Sequence, residues 1–416
     1  MKHTSRRLTV ALAAICATAA LALAGCSSGT PAASDTGPVT LTVWHYYNTA
    51  GQVATLQKLA DDFQSKHKNV TVKFQYVSPD TMTNKAVQAA GAKTGPDILV
   101  FGASGTYPLA TSGALAPMDW WGKFSGSKQV PDALLQKVNG KLYGAQGYVN
   151  LVGLWYNQDM MTQLGISGPP TNVADLEADM ALAVAAGKQG ITLTGNPGLE
   201  SQWQAFPWFT SNGFSYKDAK ASSISKTFAM VQNWVAKGYL SKEATTWDQT
   251  IPFQNFVAGQ SLFAENGNWQ ITAAKAAKFK YGVALMPISS TGGVLLGGEV
   301  ENVGGFSKHK ELAQQFLEDE FFSVKGELTL LDGFGTMPAR ADASTAQITS
   351  DPILSVFAQI VQKQGAPSPS PYYPSANVSQ VEPLVGNFWS KAIAGQGTPD
   401  DLAGQLMQQL TPLLKG

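Results

Sequence analysis

The chain has 416 residues, with 29 Lys or Arg balanced by 29 Asp or Glu, so its formal net charge is zero. That balance argues against nucleic acid or another polyanion as the partner, which would call for a basic patch. Charged residues make up only 14% while aromatic residues reach 10%, a supply of rings that both a core and a neutral, ring-shaped ligand can use.

The first 25 residues read as a secretory signal: Lys2, Arg6 and Arg7 precede the apolar run LTVALAAICATAALALAG. The run is too short and wrongly flanked to be a lasting transmembrane span. It ends in LAGC (Leu23 to Cys26), which resembles the lipobox of bacterial lipoproteins, where the chain is cut before the cysteine and the thiol is acylated. Cys16 leaves with the signal, so Cys26 is the only thiol of the mature chain, and neither a disulfide nor a cysteine metal site can form. Residues 27–38, SSGTPAASDTGP, lack any hydrophobic period and read as a flexible tether. Random-coil scaling gives that tether a reach of about 20 Å.

Beyond the tether, Val39, Leu41 and Val43 alternate as a strand. Val53, Leu56, Leu59, Ala60 and Phe63 share one helical face, and Val70, Val72, Phe74 and Tyr76 alternate again. Strand, helix, strand predicts a parallel pair with a right-handed crossover. PDILVFG (96–102) has the continuous apolar character of a central strand. Helices are predicted through Leu176, Met180 and Val184, through Phe228, Val231, Trp234 and Val235, and through Leu312, Phe316, Leu317 and Phe321. GITLTG, SLFAENG and YGVALMP supply short strands between helices, and APSPSPYYP (366–374) an extended connection. Thr398, Pro399, Asp400 and Asp401 start a C-terminal helix whose buried stripe is Leu402, Leu406, Leu410 and Leu413. The fold class is α/β, and the chain beyond the tether is too long for one core, which predicts two lobes.

In an open parallel sheet, ligands bind outside the carboxyl ends of the strands. Here the first strand runs into Trp44, His45, Tyr46, Tyr47 and Asn48, the central one into Phe101 and Gly102, and a later one into Glu265 to Trp269. A core needs rings in mid-strand, so rings gathered at several strand exits point to a site. Signs of catalysis are few. His45, His67 and His309 have no metal-ligand spacing, GASGT lacks the last glycine of a nucleophile elbow, and no phosphate-binding glycine loop is present. A pair of acids among Glu265, Glu299 and Glu301, as used in glycoside hydrolysis, stays open because sequence gives no distance between them.

Six stretches in order resemble a known family along the mature length. They are LTVWHYY with LADDFQSKHKNVTVKF, AGAKTGPDILVFG with LATSGALAPMD, GKLYGAQGYVNLVGLWYNQDMM with LGISGPPTN, FVAGQSLFAENGNW, VLLGGEVENVGGFSKHKELAQQFLEDEFFS, and GTMPARADA. The family is that of the extracellular solute-binding proteins of carbohydrate ABC transporters, which includes the maltose-binding proteins. The resemblance implies a two-lobed fold with hinge strands and a cleft between the lobes. Residues 1–25 are then the signal peptide and 26–38 the lipidated cysteine and tether. Residues 39–146 with 296–340 form the first lobe, and 147–295 with 341–416 the second. It further implies a monomeric, extracytoplasmic receptor anchored to the bacterial cell membrane by a lipid on Cys26. Its partners would be a carbohydrate and the permease subunits, with no cofactor, metal or catalysis.

Carried over position by position, the family pattern places Tyr46, Tyr47 and Asn48 in the site, with Trp44 and His45 as framework beneath them. Phe101, Gly102 and Ser104 follow the second exit, and Tyr148 and Asn150 stand at the first interlobe crossing. Trp203 and Trp269 are the stacking rings, Glu299 is a hydroxyl acceptor near the hinge, and Tyr372 enters from the far side. Ser104, Gly105 and Asn150 replace charged residues of maltose-type sites, so a maltose-type contact set is not implied. An exported glycoside-active enzyme using cleft carboxylates, or a same-fold receptor for a non-sugar solute, are the alternative readings.

Overall fold

A computed structural model describes residues 37–343 and 345–415, so the predicted signal, Cys26 and most of the tether lie outside the described residues. Strands alternate with helices throughout. The first five strands are β1 (Val39–His45), β2 (Val70–Tyr76), β3 (Ile98–Gly102), β4 (Leu135–Val138) and β5 (Lys141–Ala145). There follow β6 (Tyr148–Val149), β7 (Val152–Asn157), β8 (Gln189–Thr192), β9 (Ser261–Gly267) and β10 (Tyr281–Ala284). The last four are β11 (Val294–Leu296), β12 (Glu299–Val303), β13 (Met337–Pro338) and β14 (Gly365–Pro367).

One sheet has the order β2-β1-β3-β12-β5-β4, with β1 parallel to β2 and β3, and β12 antiparallel to β3 and β5. The alternation of Val39, Leu41 and Val43 places all three in the core, and the apolar run of β3 is buried because β1 and β12 flank it. The helix Ala50–Lys66 joins β1 to β2. Thr49 caps it by accepting from the Gln52 N–H at 3.3 Å, and it buries Leu56, Leu59, Ala60 and Phe63. Phe63 meets Phe316 edge-on at 5.1 Å, which docks the helices Lys310–Glu320 and Val324–Phe334 on the same sheet side. Val53 departs from its predicted face and is 49% exposed, because the first turn of the helix stands at the rim of a cavity lined by Gly51 and Gln52.

The second sheet has the order β10-β7-β9-β8, with β7 antiparallel to both neighbours and β8 parallel to β9. Trp155 in mid-β7 is fully buried, as are Trp208, Trp234 and Trp389 on surrounding helices. The C-terminal helix Pro399–Leu414 is capped by Thr398 and buries Leu402, Leu406 and Leu410 against its neighbours, the helices Ala221–Ala236 and Val378–Ala394.

Each sheet with its helices makes one α/β lobe, and the chain runs between them more than once. Gln146 to Leu151 connects β5 to β7, and Leu285 to Gly298 connects β10 to β12. Two small sheets sit on these passages, β13 antiparallel to β6 and β11 parallel to β14, and Asn150 exchanges backbone hydrogen bonds with Gly297. Asn268 binds them together. Its Oδ1 accepts from the Leu151 N–H at 2.8 Å and its Nδ2 donates to the Gly335 carbonyl at 2.8 Å. Strand connections of this kind let two lobes bend about a small set of backbone dihedrals.

Candidate ligand-binding cleft

The carboxyl ends of β1 and β3, the start of β12 and the exit of β9 converge on one cavity of about 960 Å³. Tyr46, Tyr47, Asn48, Gly102, Ser104 and Glu299 line it from the first sheet. Trp203 and Trp269 line it from the second-lobe side, with Asn150 and Gly297 between them at the crossings.

On the first side the polar groups form a chain. Tyr46 donates to Glu299 Oε1 at 3.0 Å and Tyr148 to Oε2 at 2.5 Å, while the Tyr47 and Tyr148 hydroxyls are hydrogen-bonded to each other. Asn150 Nδ2 adds a long contact to Oε2 at 3.4 Å. Burial raises the Glu299 carboxyl above its ordinary range, and the two phenol donors partly offset that by favouring the ionised form. Burial and the Glu299 charge push the three tyrosines well above 10, so they stay protonated and keep donating. Beneath them, the Tyr47 N–H donates to His45 Nδ1 at 3.2 Å. A nitrogen that accepts carries no proton, consistent with burial lowering His45 to about 4.

The second side presents two indoles pressed close against backbone. A Cβ built on Gly297 would sit 1.9 Å from the Trp203 ring, and one on Gly267 would sit 1.9 Å from the Trp269 ring. Only glycine permits these approaches, which bring both indoles close against the backbone. Among the described residues the Trp203 Nε1–H has no acceptor, although its surroundings shelter it from bulk solvent.

Of the residues expected at the site, Tyr46, Tyr47, Asn48, Gly102, Ser104, Asn150, Trp203, Trp269 and Glu299 all line this one cavity. Three do not. The Phe101 side chain is 1% exposed, because alternation along β3 turns it into a small core with Trp44 and Leu99. Tyr148 is fully buried by the pairing of β6 with β13, and it reaches the cavity only through Glu299 and Tyr47. Tyr372 points outward and is 50% exposed, while the adjacent Tyr373 turns inward and donates to Glu382 at 3.0 Å. The boundary within the first exit also shifts. Trp44 and His45 are framework, but Tyr47 is itself only 4% exposed and rests on Phe334 at 4.6 Å, so it serves core and cavity together.

Sequence reading missed Gln249, Gln254, Ser368 and Glu382, which all line the cavity. Glu382 carried a usable signal, a lone acid between Val381 and Val385 on an otherwise apolar helix face. The three acids considered as a catalytic pair are not brought together in the cavity. Glu265 is buried against the Trp208 N–H at 2.6 Å, and Glu301 is buried accepting from the Gly147 N–H at 2.9 Å, which leaves only Glu299 at the lining. Among the described residues, no cluster of His, Cys, Asp and Glu is suited to a metal ion.

A family model described as bacterial extracellular solute-binding protein matches residues 58–356. The chain belongs to that family. This solute-binding protein is 25% identical to the maltooligosaccharide ABC transporter solute-binding lipoprotein of Streptococcus pneumoniae, over 92% of each chain. Its fold matches the GacH receptor of Streptomyces glaucescens, solved unliganded and with acarbose, at a TM-score of 0.80 and 22% identity over 90% of this chain and 98% of that one. It also matches the maltotriose-bound MalE domain of Bdellovibrio bacteriovorus at a TM-score of 0.74 and 20% identity, over 91% of this chain and 100% of that one. The cleft of the solute-binding protein thus lies on a fold shared with proteins solved with acarbose and with maltotriose.

Proposed function

We propose that this solute-binding protein is an extracytoplasmic receptor, held at the bacterial cell membrane by a lipid on Cys26. It binds an oligosaccharide in the cleft and hands it to the permease of an ABC transporter. Residues 39–146 with 296–340 move as one lobe and residues 147–295 with 341–416 as the other, closing on the sugar. It works as a monomer and leaves the ligand chemically unchanged.

The observation that carries this reading is the composition of one cavity. Trp203, Trp269 and Tyr46 share it with Glu299, Asn150 and Gln249, and no Lys, Arg or His lines it among the described residues. A sugar has apolar C–H faces, which indole rings cover, and a rim of hydroxyls, which amides and carboxylates satisfy. Tyr46 already donates to Glu299, so its oxygen is left to accept from a sugar hydroxyl. A uronate or phosphorylated sugar would meet Glu299, Glu200 and Asp248 with no cation to offset them. The volume of about 960 Å³ favours an oligosaccharide over a single ring. An affinity near micromolar, about 8 kcal/mol, needs only two stacked rings with several hydrogen bonds and still permits release.

The test is calorimetry and tryptophan fluorescence with a panel of neutral oligosaccharides. Binding with an intrinsic fluorescence change is expected for at least one of them, and a reducing-end assay should recover it intact. No response across the panel would overturn the carbohydrate reading, and cleavage of the ligand would overturn the claim of a pure receptor.

A further inference from the structure

The geometry points to Glu382 as a specificity-determining residue of the second lobe, one that accepts a hydrogen bond from a ligand hydroxyl in the cleft. The inference rests on the oligosaccharide reading and gives that ligand a second anchoring point. Glu382 lies on the helix Val378–Ala394, is only 4% exposed, and what remains open of it belongs to the cavity lining, beside Ser368. Its Oε1 is taken by the Tyr373 hydroxyl at 3.0 Å, and Oε2 has no donor among the described residues. Oε2 is thus the acceptor that Glu382 offers to the cavity, where a sugar hydroxyl can donate to it.

The surroundings give the group a readable signature. Tyr373 faces it from the preceding loop, Tyr216 stands edge-on to Tyr373 at 4.9 Å, and Gln202 of the helix Leu199–Ser211 donates to Tyr216 at 3.4 Å. Glu200 shares the cavity, and Lys217 lies over the outward Tyr372 ring at 5.9 Å. With no basic side chain in the lining, burial pushes Glu382 up to about 7, only partly countered by Tyr373. Its ionised form is the better acceptor, so a ligand hydroxyl at Oε2 draws the proton off and binding tightens as the pH rises through neutrality.

The experiment measures affinity for maltotriose and mannotriose at about pH 6 and about pH 8, by calorimetry, in wild type, Glu382→Gln and Tyr373→Phe. Wild type should bind roughly five-fold tighter at the higher pH, the difference between a charge-assisted and a neutral hydrogen bond. Glu382→Gln keeps an acceptor for Tyr373 but turns its amide NH₂ to the ligand, so it should lose that pH dependence and bind more weakly at the higher pH. Tyr373→Phe removes the donor that favours ionisation, so its tightening should move to higher pH. Because that shift is read independently, it decides the matter even where Glu382→Gln lowers folding stability. A Glu382→Gln profile that overlays wild type, with equal affinity at the higher pH, overturns the assignment while leaving the receptor reading intact. No binding of either trisaccharide by wild type at both pH values overturns the role assigned to Glu382 for these ligands, while the wider panel decides the oligosaccharide reading.

Discussion

On the first-lobe wall of the cleft the three tyrosine hydroxyls are all paired, two to Glu299 and one to its neighbour, whereas on the second-lobe wall the Trp203 indole N–H has no acceptor among the described residues. The first wall is held in shape by its own hydrogen bonds before any ligand arrives. The second owes its shape to two rings lying on Gly297 and Gly267. A polar template fixed in advance costs little to organise on binding. Apolar faces contribute chiefly when a ligand covers them. The contrast predicts that damage to the first wall shows in both stability and affinity, and damage to the second in affinity alone.

The largest expected effect comes from acids buried in the lobes that carry these walls. Burial raises Glu301 and Glu265 well above the ordinary carboxyl range, Glu327 to about 8 and Glu320 to about 7. In the unfolded chain each titrates near 4.5, so between there and neutrality the folded protein holds protons that the unfolded chain has released. Stability is then greatest at the acid end of that window and falls as pH rises through the folded-state values, by several kcal/mol in all. His45 opposes this from the other side. Lowered from 6.5 to about 4, it contributes stability above 6.5 that is lost as pH falls through its folded value. One histidine against several glutamates leaves a melting temperature that should peak at about pH 5 and decline towards about pH 8 in scanning calorimetry. Glu327→Gln, which still accepts from the Arg340 N–H, should flatten that decline. A melting temperature rising steadily over this range would contradict the burial assigned to these acids.

Next in size is Glu299→Ala, which takes the shared acceptor from Tyr46 and Tyr148 at once. Leaving buried phenols without an acceptor should cost about 3 kcal/mol in urea unfolding and weaken sugar binding as well. Trp203→Ala should do the reverse. Loss of a ring that covers a sugar face costs about 2 kcal/mol of binding, roughly thirty-fold, while the urea midpoint stays near wild type. If Trp203→Ala unfolds more readily than Glu299→Ala, the two walls have been assigned the wrong way round.

What could be read from sequence depended on how far apart the deciding contacts lie. The strand exits were legible because alternation in β1 gives way to Tyr46, Tyr47 and Asn48, a change visible in a few neighbouring residues. The burial of Tyr148 was not, because it follows from β6 pairing with Met337 and Pro338 far along the chain. Tyr372 and Tyr373 are chemically alike, and which of them turns inward depends on where Glu382 presents its carboxylate. The seat of each indole was equally invisible, since Gly297 and Gly267 become necessary only once a ring is brought against them. Val53 fits the helical period and is still exposed, because periodicity reports a face without saying where the partner surface ends.

The smallest expected effect tests whether the first wall is one unit or a set of separate groups. Tyr46→Phe removes one donor from Glu299 and one acceptor from the cavity but keeps the ring, and Tyr148 still holds Oε2. If the groups act separately, the change costs about 1 kcal/mol of binding, roughly five-fold, and shifts the melting temperature by about 2 °C or less. If they act as a unit, the freed Oε1 lets Glu299 take up a proton more readily, and the loss of affinity grows as pH falls. The double variant Tyr46→Phe with Tyr148→Phe separates the two cases. Additive losses in calorimetry mean independent contacts, and a double loss larger than the sum means that Glu299 is an effective acceptor only while both phenols hold it ionised.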